Sequence, residues 1–144
     1  MSGYITYDTK PGGIPAKLQK PNLLSGSDKG AADDDDITSD NTPDIYGNNQ
    51  VASDATGALI TATKGGDTAT ATDTTVSSGD YLVTLPELSD GIWSITAVQT
   101  NASGTSPASD PLQVTIDTAD PTITTFSAAS TSFSGVNSLS LIHI

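Results

Sequence analysis

No cysteine occurs among the 144 residues, so neither a disulfide framework nor a thiol nucleophile contributes, and stability must come from packing or bound metal. Arginine is absent too. The five basic residues are Lys10, Lys17, Lys20, Lys29 and Lys64, set against 17 acids for a formal charge of −12. Phosphate contacts need clustered positive charge, which excludes nucleic acid and anionic membrane surfaces as partners. No apolar run reaches membrane-spanning length, so no membrane insertion is expected. Residues 1–20 lack the apolar core of a signal peptide, so an export address would lie elsewhere in a longer polypeptide. The single histidine, His143, lies in a C-terminal stretch unlike the rest.

These shortages leave little room for catalysis. A Ser-His-Asp or Cys-His arrangement has no usable histidine or cysteine, and zinc lacks its preferred ligands. No Gly-rich loop stands between a strand and a helix to cradle phosphate. A carboxylate pair is the remaining enzymatic option, but nothing marks one aspartate pair out from the others. No enzyme activity is expected.

What the chain does have is aspartate, threonine, serine, alanine and glycine in short alternating runs. Only Glu87 among the acids is a glutamate. Aspartate suits turns and compact oxygen cages, whereas glutamate favours helices. Trp93, Ile95 and Ala97 alternate with Ser94 and Thr96, and Leu112, Val114 and Ile116 alternate with Gln113 and Thr115. Tyr81, Val83 and Leu85 form a third row. Ala58–Thr63 forms a fourth, ending at Gly65-Gly66, a hairpin signal with Thr68–Thr72 as partner. Asp44–Gly47 and Leu23–Leu24 add weaker strands. About seven short antiparallel strands separated by turn residues predict an all-β, Ig-like β-sandwich. Alternation places Trp93 and Tyr81 inward, as core residues rather than ligand-binding aromatics.

A short phrase occurs twice. Ile5-Thr6-Tyr7-Asp8-Thr9 returns as Val114-Thr115-Ile116-Asp117-Thr118, 109 residues later, and both run on into a proline. That interval is the size of one small β-domain and predicts tandem repeats. Residues 1–9 then read as the last strand of a preceding repeat and 10–19 as a linker carrying Lys10 and Lys17. One repeat, beginning with Lys20, fills 20–119, and the start of a following one fills 120–137. Residues 138–144 resemble translated sequencing-adapter DNA and are read as a non-native tail, so His143 carries no functional weight.

Ser27-Asp28-Lys29-Gly30, followed by Asp36-Ile37-Thr38-Ser39-Asp40-Asn41-Thr42-Pro43, resembles the opening signature of bacterial Ig-like repeats, which build stalks of large secreted adhesins and biofilm-associated proteins. Gly79-Asp80-Tyr81 stands where that family has Gly-Asn-Trp. Leu88-Ser89-Asp90-Gly91-Ile92-Trp93-Ser94-Ile95-Thr96-Ala97 is similar to its "ADG-x-Tyr-x-Ile-x-Ala" strand. Asn101-Ala102-Ser103-Gly104 corresponds to its "DAAG" loop, with asparagine for aspartate, and Val114–Thr118 to its closing "VTIDT". Trp93 departs from the family's aromatic by having no hydroxyl for a tyrosine corner.

The resemblance implies an extracellular, bacterial cell-surface location and neighbouring Ig-like repeats of the same polypeptide as partners. It also favours calcium, a cation that takes six to eight hard oxygens. Asp28, Asp34, Asp36 and Asp40 lie in one predicted loop. Two carboxylates about 4 Å apart repel by roughly 1 kcal/mol in water and about 4 kcal/mol at an effective dielectric near 20. A flexible, solvated acidic loop is the plain alternative. The fold that the resemblance implies sets Asp8 beside the same pole, adds Asn101 as a neutral oxygen ligand, and turns Asp117 toward the next repeat. The spacing is not that of an EF-hand. The expected function is a structural stalk spacer stiffened by calcium at its junctions. The alternative is an Ig-like module whose loops bind a glycan or protein receptor.

Overall fold

The computed structural model describes residues 13–30, 32, 34–48, 50–76 and 79–120. Expectations for Asp8, for the following repeat and for the terminal tail fall outside these residues. Among the described residues nine strands form: β1 Asn22–Leu23, β2 Ile37–Thr38, β3 Asp44–Gly47, β4 Gly57–Lys64, β5 Asp67–Asp73, β6 Tyr81–Thr84, β7 Gly91–Asn101, β8 Gly104–Thr105 and β9 Leu112–Ile116. They make two sheets in a sandwich. One has the order β1-β3-β6, the other β2-β9-β7-β4-β5, with β8 pairing the far end of β7 on the edge it shares with β9.

The alternating rows turn one set of side chains inward from each sheet. Ala58, Ile60 and Ala62 of β4 join Trp93, Ile95 and Ala97 of β7 and the Leu112, Val114 and Ile116 row of β9. From the smaller sheet, Leu23, Ile45, Tyr81 and Val83 close the core. Gly47 belongs to this inner row because Tyr81 lies across it. A Cβ on Gly47 would run into the Tyr81 ring. Gly65 and Gly66 connect β4 to β5, and Gly65 takes the left-handed φ of 59° that favours glycine in such a turn.

The pair β2–β9 is parallel, with Ile37 beside Thr115 and Thr38 beside Ile116, among otherwise antiparallel ladders. Asp36 makes this possible by adopting φ 57° and offering its carbonyl to the Thr115 N–H. Thr38 then fixes the loop. Its hydroxyl donates to the Ser27 carbonyl and accepts from the N–H groups of Lys29 and Asp40.

Between the stretches of β7 paired by β9 and by β8, two serines complete the ladder. Ser109 Oγ accepts from the Ala97 N–H at 2.9 Å, and Ser106 Oγ accepts from the Gln99 N–H at 3.1 Å. Both serines are buried. Leu18 is 2% exposed and belongs to the core, so the C-terminal end of the stretch read as linker is part of the packed body.

Candidate functional site

Strand β7 runs for 11 residues. At about 3.3 Å per residue it spans about 33 Å and defines two poles. The described chain arrives at the leading pole, where Asn101 ends β7. Asn101 Nδ2 donates to the Gly13 carbonyl at 3.1 Å and to Asp54 Oδ2 at 2.8 Å, while its Oδ1 accepts from the Ser103 N–H. Two residues back, Gln99 repeats the device. Its Nε2 donates to the Ala16 carbonyl at 2.8 Å, and its Oε1 accepts from the Ala52 N–H at 2.7 Å. Gln99 is 1% exposed and Asn101 is 7% exposed. These two amides clasp the arriving segment to the loop before β4.

The chain leaves from the trailing pole. Asp90, just before β7, accepts from the N–H and hydroxyl of Thr118 on one carboxylate oxygen, at 3.1 and 2.8 Å. Asp117 donates its N–H to the Thr38 carbonyl, and its Oδ1 accepts from the Ala119 N–H. The loop carrying Asp28, Asp36 and Asp40 belongs to this half of the domain. Leu24 and Ser27 flank Asp44, which pairs with Thr84 at the end of β6.

The structure therefore divides the residues proposed for calcium. Asn101 is at the leading pole with Asp54, across the domain from Asp40 and Asp117. Gly13, the first described residue, is at the Asn101 end, and Asp8 lies outside the described residues. Asp28, Asp34 and Asp36 share one cleft of about 320 Å³ against β1, which Lys20 also lines.

Asp40 is committed elsewhere. Its Oδ2 accepts from Lys29 Nζ at 3.0 Å, and its Oδ1 caps Thr42. Burial pushes the Asp40 pKa up, but hydrogen bonds from Lys29, Thr42 and Ser27 and the Lys29 charge outweigh it and hold the group below its ordinary value. Among the described residues, no group of three acids is gathered closely enough to hold a metal ion.

A second feature was not foreseen from sequence. Asp73, at the end of β5, reaches across the open side of the sandwich. Its Oδ2 accepts from the Leu82 N–H of β6 at 3.0 Å, and its Oδ1 accepts from the N–H and hydroxyl of Thr75. Burial raises its pKa, yet these three donors together lower it below the ordinary carboxylate value. One carboxylate thus joins the two sheets and occupies the outward N–H of an edge strand. Beside it opens a cleft of about 430 Å³ on the outer side of the smaller sheet, which Tyr46 and Tyr81 both line. Tyr81 is 2% exposed, its hydroxyl is buried with no hydrogen-bond partner, and burial pushes its pKa up to about 12. An unsatisfied buried hydroxyl costs about 1–3 kcal/mol.

Trp93 is 3% exposed, faces Val114 in register, and donates its indole N–H to the Ser89 carbonyl at 2.9 Å. Lys64 Nζ stands 5.1 Å from its ring centre and is anchored by Ser89 and Asp90. The tryptophan is a core residue with a cation over its face, not a surface platform.

No curated protein matches this chain. The sequence profile described as "Bacterial Ig-like domain" matches residues 16–118, most of the chain and every strand from β1 to β9. With its two-sheet sandwich, the chain belongs to the bacterial Ig-like domain family.

Proposed function

We propose that this domain is a spacer repeat in the stalk of a bacterial surface adhesin, joined head to tail to Ig-like neighbours. The observation that carries the reading is that the described segment enters and leaves the domain at opposite poles. Gly13 is clasped at the leading pole by Asn101, and Thr118 is held at the trailing pole by Asp90, about 33 Å away along β7. A domain whose chain arrives at one pole and leaves at the other adds length with every copy. The recurrence of the Ile5–Thr9 phrase at Val114–Thr118 supports the tandem arrangement. Domains of this family are commonly extracellular or on the cell surface. Among the described residues, no helix is long and apolar enough to cross a membrane.

Calcium enters this reading only between repeats. The trailing pole of one copy brings Asp117 and Asp90 toward the leading pole of the next, where Asn101 and Asp54 stand. Oxygens from both copies would be needed to complete a shell of six to eight. Extracellular calcium modules bind with dissociation constants of about 10⁻⁴–10⁻³ M, which suits a millimolar calcium environment. A thermal melt of this chain and of a two-repeat protein, each with calcium and with chelator, tests the assignment. Stabilisation confined to the two-repeat protein is expected, by linkage to a site that exists only at the junction. An equal response in the single chain would place the ion inside the domain, and no response in either would remove calcium from the account.

A further inference from the structure

Strand β5 lies at the edge of the larger sheet and pairs only with β4, in an unbroken register from Ala58–Asp73 to Lys64–Asp67. The two-residue Gly65-Gly66 turn makes Lys64 and Asp67 the closing hydrogen-bonded pair, so Asp67, Ala69, Ala71 and Asp73 bond to β4. Thr68, Thr70 and Thr72 therefore turn both N–H and C=O to the free side, and all three residues are exposed. The other edges among the described residues differ. Strands β1, β2 and β8 are two residues long, and on β6 the Asp73 carboxylate occupies the Leu82 N–H. Edge strands are ordinarily blunted by lysine, proline or a bulge, and Thr68–Thr72 has none of these.

The strand also reads the same in both directions: Asp67-Thr68-Ala69-Thr70-Ala71-Thr72-Asp73. Two copies laid antiparallel about Thr70 set Thr70 against itself, Thr68 against Thr72 and Ala69 against Ala71. Every outward-facing residue then meets an outward-facing residue, and each threonine pair exchanges two backbone hydrogen bonds. A slip of one residue would set outward groups against residues already bonded to β4, and a slip of two would shorten the ladder. Threonine pairs are favourable cross-strand neighbours on the outer face, and the alanines of the inner face are too small to obstruct the approach. The one opposing term is at the ends, where Asp67 meets Asp73 of the second copy.

We infer that the β5 edge recognises a second copy of itself, the two larger sheets joining antiparallel into one continuous sheet about a two-fold axis at Thr70. The contact is one strand wide, below the 1,200 Å² or so of total surface that stable interfaces bury, and both chains carry a formal charge of −12. Single domains therefore associate weakly. Strand β5 runs in the same direction as β7, so antiparallel pairing reverses the pole-to-pole direction of the second domain. One consequence rests on the spacer reading: stalks projecting from facing surfaces would pair along their flanks, each repeat with this strand adding a weak contact. The pairing itself rests on the β5 edge alone and stands if the spacer reading fails.

The test is sedimentation velocity and nitrogen-15 NMR of the full chain from about 10 μM to about 1 mM, at about 0.05 and about 0.5 M salt. A monomer–dimer equilibrium is expected over that range, with the amides of Thr68, Thr70 and Thr72 shifting as concentration rises. The higher salt should strengthen the dimer several-fold by screening the facing aspartates, and Asp67→Asn should strengthen it at the lower salt. Thr70→Pro removes an N–H that the fold leaves unused and should weaken the dimer at least about tenfold. Thr70→Lys, a change that keeps the backbone free to fold as before, brings two ammonium groups together on the axis and should do the same at the higher salt. A chain that stays monomeric at about 1 mM in the higher salt overturns the inference. So does a dimer whose shifts fall outside β5, one that neither Thr70 variant weakens, or one that salt and Asp67→Asn both weaken. An extended peptide of alternating valine and lysine that shifts the β5 amides as strongly as the second copy does would make the edge a general strand acceptor, and would equally overturn it.

Discussion

Gly13 and Thr118 are tied to opposite ends of the same strand. Asn101, the last residue of β7, donates to the Gly13 carbonyl, and Asp90, immediately before the first, accepts from Thr118. This relationship turns a compact sandwich into a unit with a direction, and the expected behaviour of several side chains follows from which pole they occupy.

At the leading pole the Asn101 amide does the bridging that a cation would otherwise do, joining the Asp54 carboxylate to a backbone carbonyl. Asn101→Asp replaces the donors with a second carboxylate facing Asp54. In chelator it should lower stability by about 2–4 kcal/mol, from charge repulsion and lost hydrogen bonds. Added calcium should restore part of the loss. A variant that melts like the parent in chelator would show that the amide bridge contributes nothing.

Trp93 should be shielded from iodide, since it is buried and its indole N–H is bonded within the protein. Trp93→Ala should cost about 3–5 kcal/mol in chemical denaturation. Ready quenching in the folded state would put the ring on the surface.

Ser109 completes the β7 ladder with a side chain, so Ser109→Ala should leave the buried Ala97 N–H short of its acceptor and cost about 1–3 kcal/mol. At Gly65 nothing stands within 4 Å of an added Cβ, so Gly65→Ala isolates the backbone cost of a positive φ, about 1 kcal/mol. Equilibrium unfolding measures both. A neutral Ser109→Ala would mean the ladder is already satisfied there.

Two limbs of the pH–stability curve are assigned. Tyr81 is raised from 10.0 to about 12 in the folded protein, so its contribution is intact below pH 10 and is lost as pH rises toward 12. The loss is at most about 2–3 kcal/mol, and Tyr81→Phe should flatten that alkaline limb. Asp40 and Asp73 are lowered from 3.8, so their contribution is present above that value and is lost as pH falls through their folded values. Alanine at either position should shrink the acid limb. Curves unchanged by these substitutions would contradict the assignments.

The sandwich was legible in the sequence because alternation reports which face of a strand meets the core, and all seven expected strands are present. Strands β2 and β8 were not, since two residues carry no period, and the parallel β2–β9 pair depends on a backbone turn at Asp36. The leading clasp was missed although its signal was there. Gln99 and Asn101 continue the inward parity of Trp93, Ile95 and Ala97, so two polar side chains were due to be buried and bonded. The acidic loop was legible as composition only. Spacing along a loop does not say which carboxylates cap turns, as Asp40 does, or that Asn101 belongs to the far pole.

Small-angle X-ray scattering of two consecutive repeats, with and without calcium and beside the single chain, measures the central claim directly. The account predicts that the second repeat adds at least about 33 Å to the longest dimension, the span of β7 from pole to pole. It also predicts that calcium lengthens and stiffens the pair while leaving the single chain unchanged. A folded-back pair no longer than one domain, with or without calcium, would contradict it.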